Sequence, residues 1–248
     1  MLEHEVDGPV HLLRLAHGKV NAMDIELVAA VTARVGELAG QAGAVVLTGT
    51  GAVFSAGVDL RRVVDGGTEY GERFLPALAD MFDTVFGAPV PIVAAINGWA
   101  IAGGCVLAVA CDRRILSAET QIGATELQVG VPFPVSALEV LRHGCGVHAD
   151  EVVLGAALHA GPEAVRLGLA HEIVDNDRVV PRALEVAHAL AAVAPAAYRH
   201  AKHQLRAPVL ARITAERPRA DAEVIAGWAS PATLDRLRAQ IARMSRRT

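Results

Sequence analysis

One carboxylic acid, Glu126, lies in apolar company, with Ile122, Gly123 and Ala124 before it and Leu127, Val129 and Val131 after it. Burial in such surroundings disfavours the ionised form and raises the pKa toward neutrality, where a carboxyl can both take and return a proton. The spacing equally allows Glu126 to open a helix beside Thr125, and both readings stay open at this level. Two glycine-bearing turns, Ser55-Ala56-Gly57-Val58 and Ala102-Gly103-Gly104, each follow an apolar β run and precede a helical pattern. The first N–H groups of a helix carry partial positive charge, and glycine lets a backbone come close to a ligand. If the two strands are neighbours, both turns present N–H donors to one point, the arrangement that holds a developing oxyanion. Close packing of strand on helix would use the same glycines.

Other chemistries find no support. No Gly-x4-Gly-Lys-Ser/Thr run occurs, and neither turn has the Gly-x-Gly-x-x-Gly spacing of a dinucleotide site. The ten histidines are scattered without ligand or triad spacing. Cys105, Cys111 and Cys145 lack metal-ligand spacing and read as buried, reduced thiols of a reducing compartment. Asp59 and Asp112 read as residues that cap or turn the chain.

The elements that position these residues follow from periodicity. Residues 92–96, Ile-Val-Ala-Ala-Ile between Pro91 and Gly98, form a strand covered on both faces, and residues 44–48 form another. Residues 10–15 pair with residues 3–7 across the turn Asp7-Gly8-Pro9. Ile25, Val28, Val31, Val35 and Leu38 define a helix with Asp24 as N-cap. Residues 61–72 are expected to be a loop or short helix, followed by an amphipathic stripe of Phe74, Leu78, Met81, Phe82 and Val85. Arg113–Ser117 reads as a strand, and from about Val135 to the end the pattern is almost wholly helical, broken at Gly144-Cys145-Gly146, Gly161-Pro162, Pro195, Pro208 and Pro231. Alternating strands and helices followed by helices alone predict an α/β core with a helical C-terminal part.

The 248 residues are 52% hydrophobic and 20% charged, the composition of a globular chain. A net charge of -4 gives no footprint for nucleic acid, and the basic tail around Arg243, Arg246 and Arg247 reads as a solvated end. No apolar run approaches the ~20 residues needed to span a bilayer. The N-terminus is acidic, unlike a signal peptide, so a soluble cytoplasmic protein is expected.

Phe54-Ser55-Ala56-Gly57-Val58-Asp59-Leu60 and Asn97-Gly98-Trp99-Ala100-Ile101-Ala102-Gly103-Gly104-Cys105 together resemble the two signatures of the enoyl-CoA hydratase/isomerase, or crotonase, family. Asn21-Ala22-Met23 is similar to that family's Asn-Ala-Leu segment, and with Glu126 the resemblance covers nearly the whole chain. It implies a right-handed spiral of β-β-α units over residues 1–195 and a C-terminal helical trimerisation part over residues 196–248. It further implies a homotrimer or dimer of trimers, an acyl-CoA thioester substrate, no metal, and no cofactor beyond the coenzyme A of the substrate. Carried over by position, the backbone N–H groups of Val58 and Gly103 are the oxyanion donors. Ala56, Asp59 and Leu60 line the CoA path, with Val20, Ala22 and Gly104 beside it. Lys202 or Arg206 would reach a CoA phosphate or stand as exposed helix residues.

Three departures from the family pattern matter, one for the reaction and two for chain length. Hydratases of the family carry two glutamates; the later one matches Glu126, and the earlier position holds Val106. Adding water needs a group to position and deprotonate it, usually with a second to complete the proton transfer, whereas shifting a double bond needs one carboxylate. The pattern therefore resembles the one-glutamate 3,2-enoyl-CoA isomerase branch. A weak hydratase and a non-catalytic acyl-CoA binder are the alternatives, and an acid from the helix near Asp80 or Asp83 is a candidate to enter the cleft. Ala102, where a third glycine is common, and Val58, bulkier than the usual alanine, leave chain-length preference open.

Overall fold

A computed structural model describes residues 1–245; Arg246 and Arg247 of the basic tail lie outside the described residues. The chain opens with a hairpin, β1 (Leu2–Asp7) and β2 (Val10–Leu15), paired antiparallel from Leu2 opposite Leu15 to Asp7 opposite Val10. Helix α1 (Ile25–Leu38) follows, capped by Asp24, whose Oδ1 accepts the Leu27 N–H at 2.8 Å. It buries Leu27, Val28, Val31, Val35 and Leu38, the stripe read from its periodicity.

From here the chain alternates between two sheets. Strands β3 (Ala44–Gly49) and β4 (Val53–Ser55) precede α2 (Leu60–Gly87). Strands β5 (Ile92–Ile96) and β6 (Trp99–Ile101) precede α3 (Gly103–Ala110). Strands β7 (Arg113–Ser117) and β8 (Ile122–Gly123) precede the single turn α4 (Glu126–Val129). The first strand of each pair joins a large sheet and the second a small one. The small sheet has order β4-β6-β8 and is parallel throughout. Each β-β-α unit thus advances both sheets by one strand, the spiral expected from the sequence.

The remaining elements are α5 (Val135–Cys145), α6 (Ala149–Gly155), α7 (Gly161–Arg166), β9 (Glu172–Val174), α8 (Val179–Ala191), α9 (Pro195–Ala229) and α10 (Pro231–Ser245). The large sheet runs β1-β2-β3-β5-β7-β9, parallel after the opening hairpin. Its central strands β3 and β5 are buried along their whole length because both their faces are covered, whereas β1 at the edge is mostly exposed. Val10, Leu12, Val46, Val93 and Ala95 pack against Val179, Ala183 and Ala187 of α8, and the alternate residues face the main core. No single helix among the described residues is long and apolar enough to cross a membrane.

Two sequence expectations are corrected and one is met in part. The short helix expected within residues 61–72 is the stretch of α2 that starts at Leu60 and breaks at Gly67 (φ 57°, ψ -147°); beyond the break the chain is helical again to Gly87 rather than a loop. The region after Val135 is not wholly helical: β9 adds to the edge of the large sheet, pairing Ile115 with Glu172 and Ser117 with Val174. Its three half-buried residues are too short and too polar to show a strand period. Finally, Lys202 and Arg206 are neither exposed nor free to meet a phosphate, at 6% and 7% exposure.

Asp112 holds both of those cations. Its Oδ2 accepts Lys202 Nζ at 2.7 Å and its Oδ1 accepts Arg206 Nη2 at 2.7 Å, while the Ile92 N–H donates to Oδ2 at 2.7 Å. Lys202 also donates to the Val90 carbonyl, and Arg206 to the carbonyls of Phe86 and Ala110 in the last turns of α2 and α3. One carboxylate and two helix C-termini, whose dipoles favour cations, thereby fix α9 to the core. Removing the carboxylate leaves two buried cations short of their anion. Asp112→Ala should lower the unfolding free energy by about 3–5 kcal/mol in a urea melt, and a loss under 1 kcal/mol would refute this anchoring.

Candidate functional site

The small sheet builds the site. The segment 56–58 leaves the C-terminal end of β4, Ala102 and Gly103 leave β6, and Ala124 to Glu126 leave β8. Because β4, β6 and β8 are adjacent and parallel, their three exits lie side by side, the place where ligands bind in parallel sheets. Ala102 N–H donates to the Gly123 carbonyl at 2.8 Å, tying the second exit to the third.

The first exit is held from the other side by the segment after β2. Asn21 is fully buried with φ 49° and donates from Nδ2 to the carbonyls of Val53 and Phe54, at 3.1 and 3.2 Å. Its own carbonyl accepts Ser55 Oγ at 2.8 Å. Met23 N–H donates to the Gly57 carbonyl at 2.8 Å and the Met23 carbonyl accepts the Asp59 N–H at 2.9 Å. Residue 58 is thus bridged in parallel with Met23 through its neighbours, so its own N–H points to the opposite side. Among the described residues the Val58 N–H has no protein acceptor, and the Gly103 N–H, first in α3, has no helical one.

Gly57 makes the approach of the two turns possible. It has φ 81°, and a Cβ there would lie 2.7 Å from the Ile101 carbonyl oxygen and 3.1 Å from the Gly103 nitrogen. Gly104 serves packing: a Cβ would collide with the Ser55 carbonyl, and the residue does not line the cavity. Its expected place on the substrate path is corrected accordingly. Ala102 takes φ 52° and ψ -122°, a region that only glycine enters without strain, so the β6–α3 turn is held open against local preference.

A cavity of about 460 Å³ opens onto these exits. Val20, Ala22, Ala56, Val58, Asp59, Leu60, Gly103 and Glu126 all line it, which brings together every expected site residue except Gly104. Sequence reasoning did not find the remainder of the wall. Leu78 and Phe82 come from α2, Val129, Val131, Pro134 and Ala137 from the segment after Glu126, and Trp228, Gln240, Ile241 and Met244 from α9 and α10. The apolar stripe of α2 was a signal for part of it; nothing local marks the C-terminal residues as neighbours of Glu126.

Glu126 is 9% exposed, and its Oε2 is buried with no hydrogen-bond partner among the described residues. Thr125 makes no side-chain cap, so the carboxyl opens α4 without the helix-cap role that spacing allowed. Burial raises its pKa from the ordinary 4.5 to about 8, against a small opposing hydrogen bond from its own N–H. The other acid of the lining, Asp59, spends its Oδ1 on the N–H groups of Arg61 and Arg62. Val106 is fully buried in the core and outside the lining. Asp80 and Asp83 pair with Arg217 at 2.8 and 2.9 Å and do not enter the cavity. The three cysteines are buried and unpaired.

Fold and cavity together define a class of protein: an α/β spiral whose strand ends offer backbone donors and a protonatable carboxyl to an apolar ligand. Residues 5–231 match the family model for enoyl-CoA hydratase/isomerase, and the chain belongs to that family of enzymes acting on CoA thioesters. The putative enoyl-CoA hydratase of Thermus thermophilus is 36% identical over 167 residues, 66% of each chain. The mitochondrial enoyl-CoA delta isomerase 1 of Homo sapiens is 26% identical over 230 residues, 90% of this chain and 75% of the other. The crystal structure of human mitochondrial delta3-delta2-enoyl-CoA isomerase matches with a TM-score of 0.95 over 100% of this chain and 99% of that one. At 23% identity that likeness establishes the crotonase fold.

The raised pKa of Glu126 makes a stability prediction. Between pH 4.5 and about 8 the folded chain holds a proton that the unfolded chain has lost. Stability therefore falls as pH rises through that window, by up to about 1.4 kcal/mol per pH unit, and levels off above it. Glu126→Gln removes this slope, so its stability relative to the parent should increase from pH 5 to pH 8 in matched denaturant melts. A difference that does not change with pH would rule out a buried, titrating carboxyl.

Proposed function

We propose that the protein is an acyl-CoA double-bond isomerase that converts 3-enoyl-CoA to 2-enoyl-CoA. One observation carries the reading: among the described residues, Glu126 is a cavity carboxyl that no other residue's hydrogen bond engages, with a buried, unpartnered oxygen in the cavity that Val58 and Gly103 also line with free backbone N–H groups. In the proposed reaction ionised Glu126 takes a proton from C2 of the acyl chain. The electron pair moves into the conjugated system, and the thioester oxygen becomes the oxygen of a dienolate. The N–H groups of Val58 and Gly103 donate to that oxygen, stabilising charge that exists only in the transition state and intermediate. Glu126 then returns its proton to C4, and the double bond lies between C2 and C3.

Electrons and protons balance within the substrate, so the proposal calls for no cofactor. The apolar cavity suits the task in two ways. It raises the basicity of Glu126, and it keeps bulk water from the dienolate. Hydration would require a water activated at C3. The position that supplies a second glutamate in hydratases is Val106, inside the core, and Asp59 is committed to capping α2.

From the family resemblance we further propose a cytoplasmic homotrimer or dimer of trimers. Sedimentation velocity should give a mass of three or six chains, and a monomer at micromolar concentration would overturn that part of the proposal.

The activity test uses purified protein with 3-enoyl-CoA and, separately, 2-enoyl-CoA. Only the first should be converted, and kcat/KM should rise with pH through about 8 as Glu126 ionises. Glu126→Gln should lower the rate by about 100-fold or more. Hydration of 2-enoyl-CoA would favour the hydratase reading instead, and binding without turnover of either substrate would favour an acyl-CoA-binding role.

A further inference from the structure

We propose that Trp228 sets the length of the acyl chain, and that the ligands are straight-chain acyl-CoAs whose tails end against its indole. This rests on the acyl-CoA reading of the cavity. Trp228 projects from α9 into the cavity and is 4% exposed. The wall that leads toward it from the thioester donors starts at Phe82, whose Cζ would be 3.8 Å from a Cβ at Gly103. Leu78 and Ala137 line the same cavity with Phe82 and Trp228, and its charged residues Asp59, Arg61 and Glu126 belong to other segments, so apolar surface is available to hydrocarbon.

What makes Trp228 a stop rather than one more apolar contact is how it is held. Its indole N–H donates to the Pro132 carbonyl at 2.8 Å. Pro132 lies six residues after Glu126 in the same segment, between Val131 and Pro134 of the cavity wall. The ring is therefore tied to the segment that carries the acid, so the distance from reacting carbon to indole is fixed by one short stretch of chain. Burial and this hydrogen bond together keep the ring from swinging aside to admit a longer tail. At its other end the ring is carried by α9, which Asp112 anchors through Lys202 and Arg206.

Binding of saturated acyl-CoAs of increasing even chain length, measured by calorimetry, tests this without any turnover. Each methylene that reaches apolar wall should tighten binding about fourfold, and in the parent protein the gain should stop at one chain length. In Trp228→Ala that break should move to longer chains, while the shorter members bind with nearly parental affinity. Trp228→Leu, which keeps an apolar filler, covers the case in which the alanine variant does not fold, and should move the break by a smaller step. Trp99→Ala, at a surface tryptophan outside the cavity, should leave the break in place. A break that stays put in both Trp228 variants, or no break in the parent, overturns the assignment of Trp228. Absence of binding by every acyl-CoA overturns the acyl-CoA reading, and this proposal with it.

Discussion

The close approach of two backbone turns, with no side chain between them, is the constraint on which the site depends. Gly57 lies against Ile101–Gly103 so tightly that even one methyl group would push the turns apart. The approach has to be imposed from outside, because two peptide segments gain little from touching. The parallel pairing of β4 with β6 imposes it from below, and the Asn21 and Met23 hydrogen bonds impose it from the flank. The bonding of Met23 to residues 57 and 59 also decides direction, since it turns the Val58 N–H away from the pairing and toward the cavity. Two N–H groups without acceptors on neighbouring turns thus follow from ordinary strand pairing plus one residue without a Cβ.

The opposing demand comes from Glu126. A carboxyl whose outer oxygen has no partner costs free energy in an apolar wall, and the cost grows when it ionises. Most of the surroundings serve stability: the central strands of the large sheet are covered on both faces, and α9 is fixed by a buried ion cluster. The unpaid groups are gathered in one place, namely the Glu126 oxygen, the two free N–H groups and the strained Ala102. Local violations of folding rules that cluster in a cavity are what a site needing unsatisfied groups must contain.

Much of this was legible in the sequence, because the signals are local. Apolar runs bounded by turns gave the strands, Asp24 and Asp59 announced their helices, and the glycine turns and the apolar flanks of Glu126 pointed to segments that line the cavity. What was not legible depends on contacts between distant segments. Lys202 and Arg206 have the spacing of solvent-facing helix residues, and only their meeting with Asp112, some ninety positions earlier, buries them. Residues 61–72 are charged and rich in glycine, and α2 does break among them at Gly67, yet the chain is helical on both sides of the break because Asp59 starts the first stretch and tertiary packing outweighs the low propensity of the second. Trp228 and α10 reach the cavity only because the chain folds back over α2 and α4.

Val106 shows how position and chemistry combine. It is one turn into α3, three positions after Gly103, and its backbone N–H closes the first helical bond to the Ala102 carbonyl at 3.1 Å. A carboxylate on that turn would place a second charge near the same strand ends as Glu126. Two like charges there would split their pKa values, leaving one acid and one base to share a water. With valine the turn packs into the core instead, and the site keeps one titrating group whose proton has to leave and return through the same carboxyl. On the proposed reading, the loss of one acid narrows the chemistry to reactions in which the proton removed is the proton delivered. It leaves the wall around the acyl chain, from Phe82 to Trp228, as the part of the site free to vary without altering that chemistry.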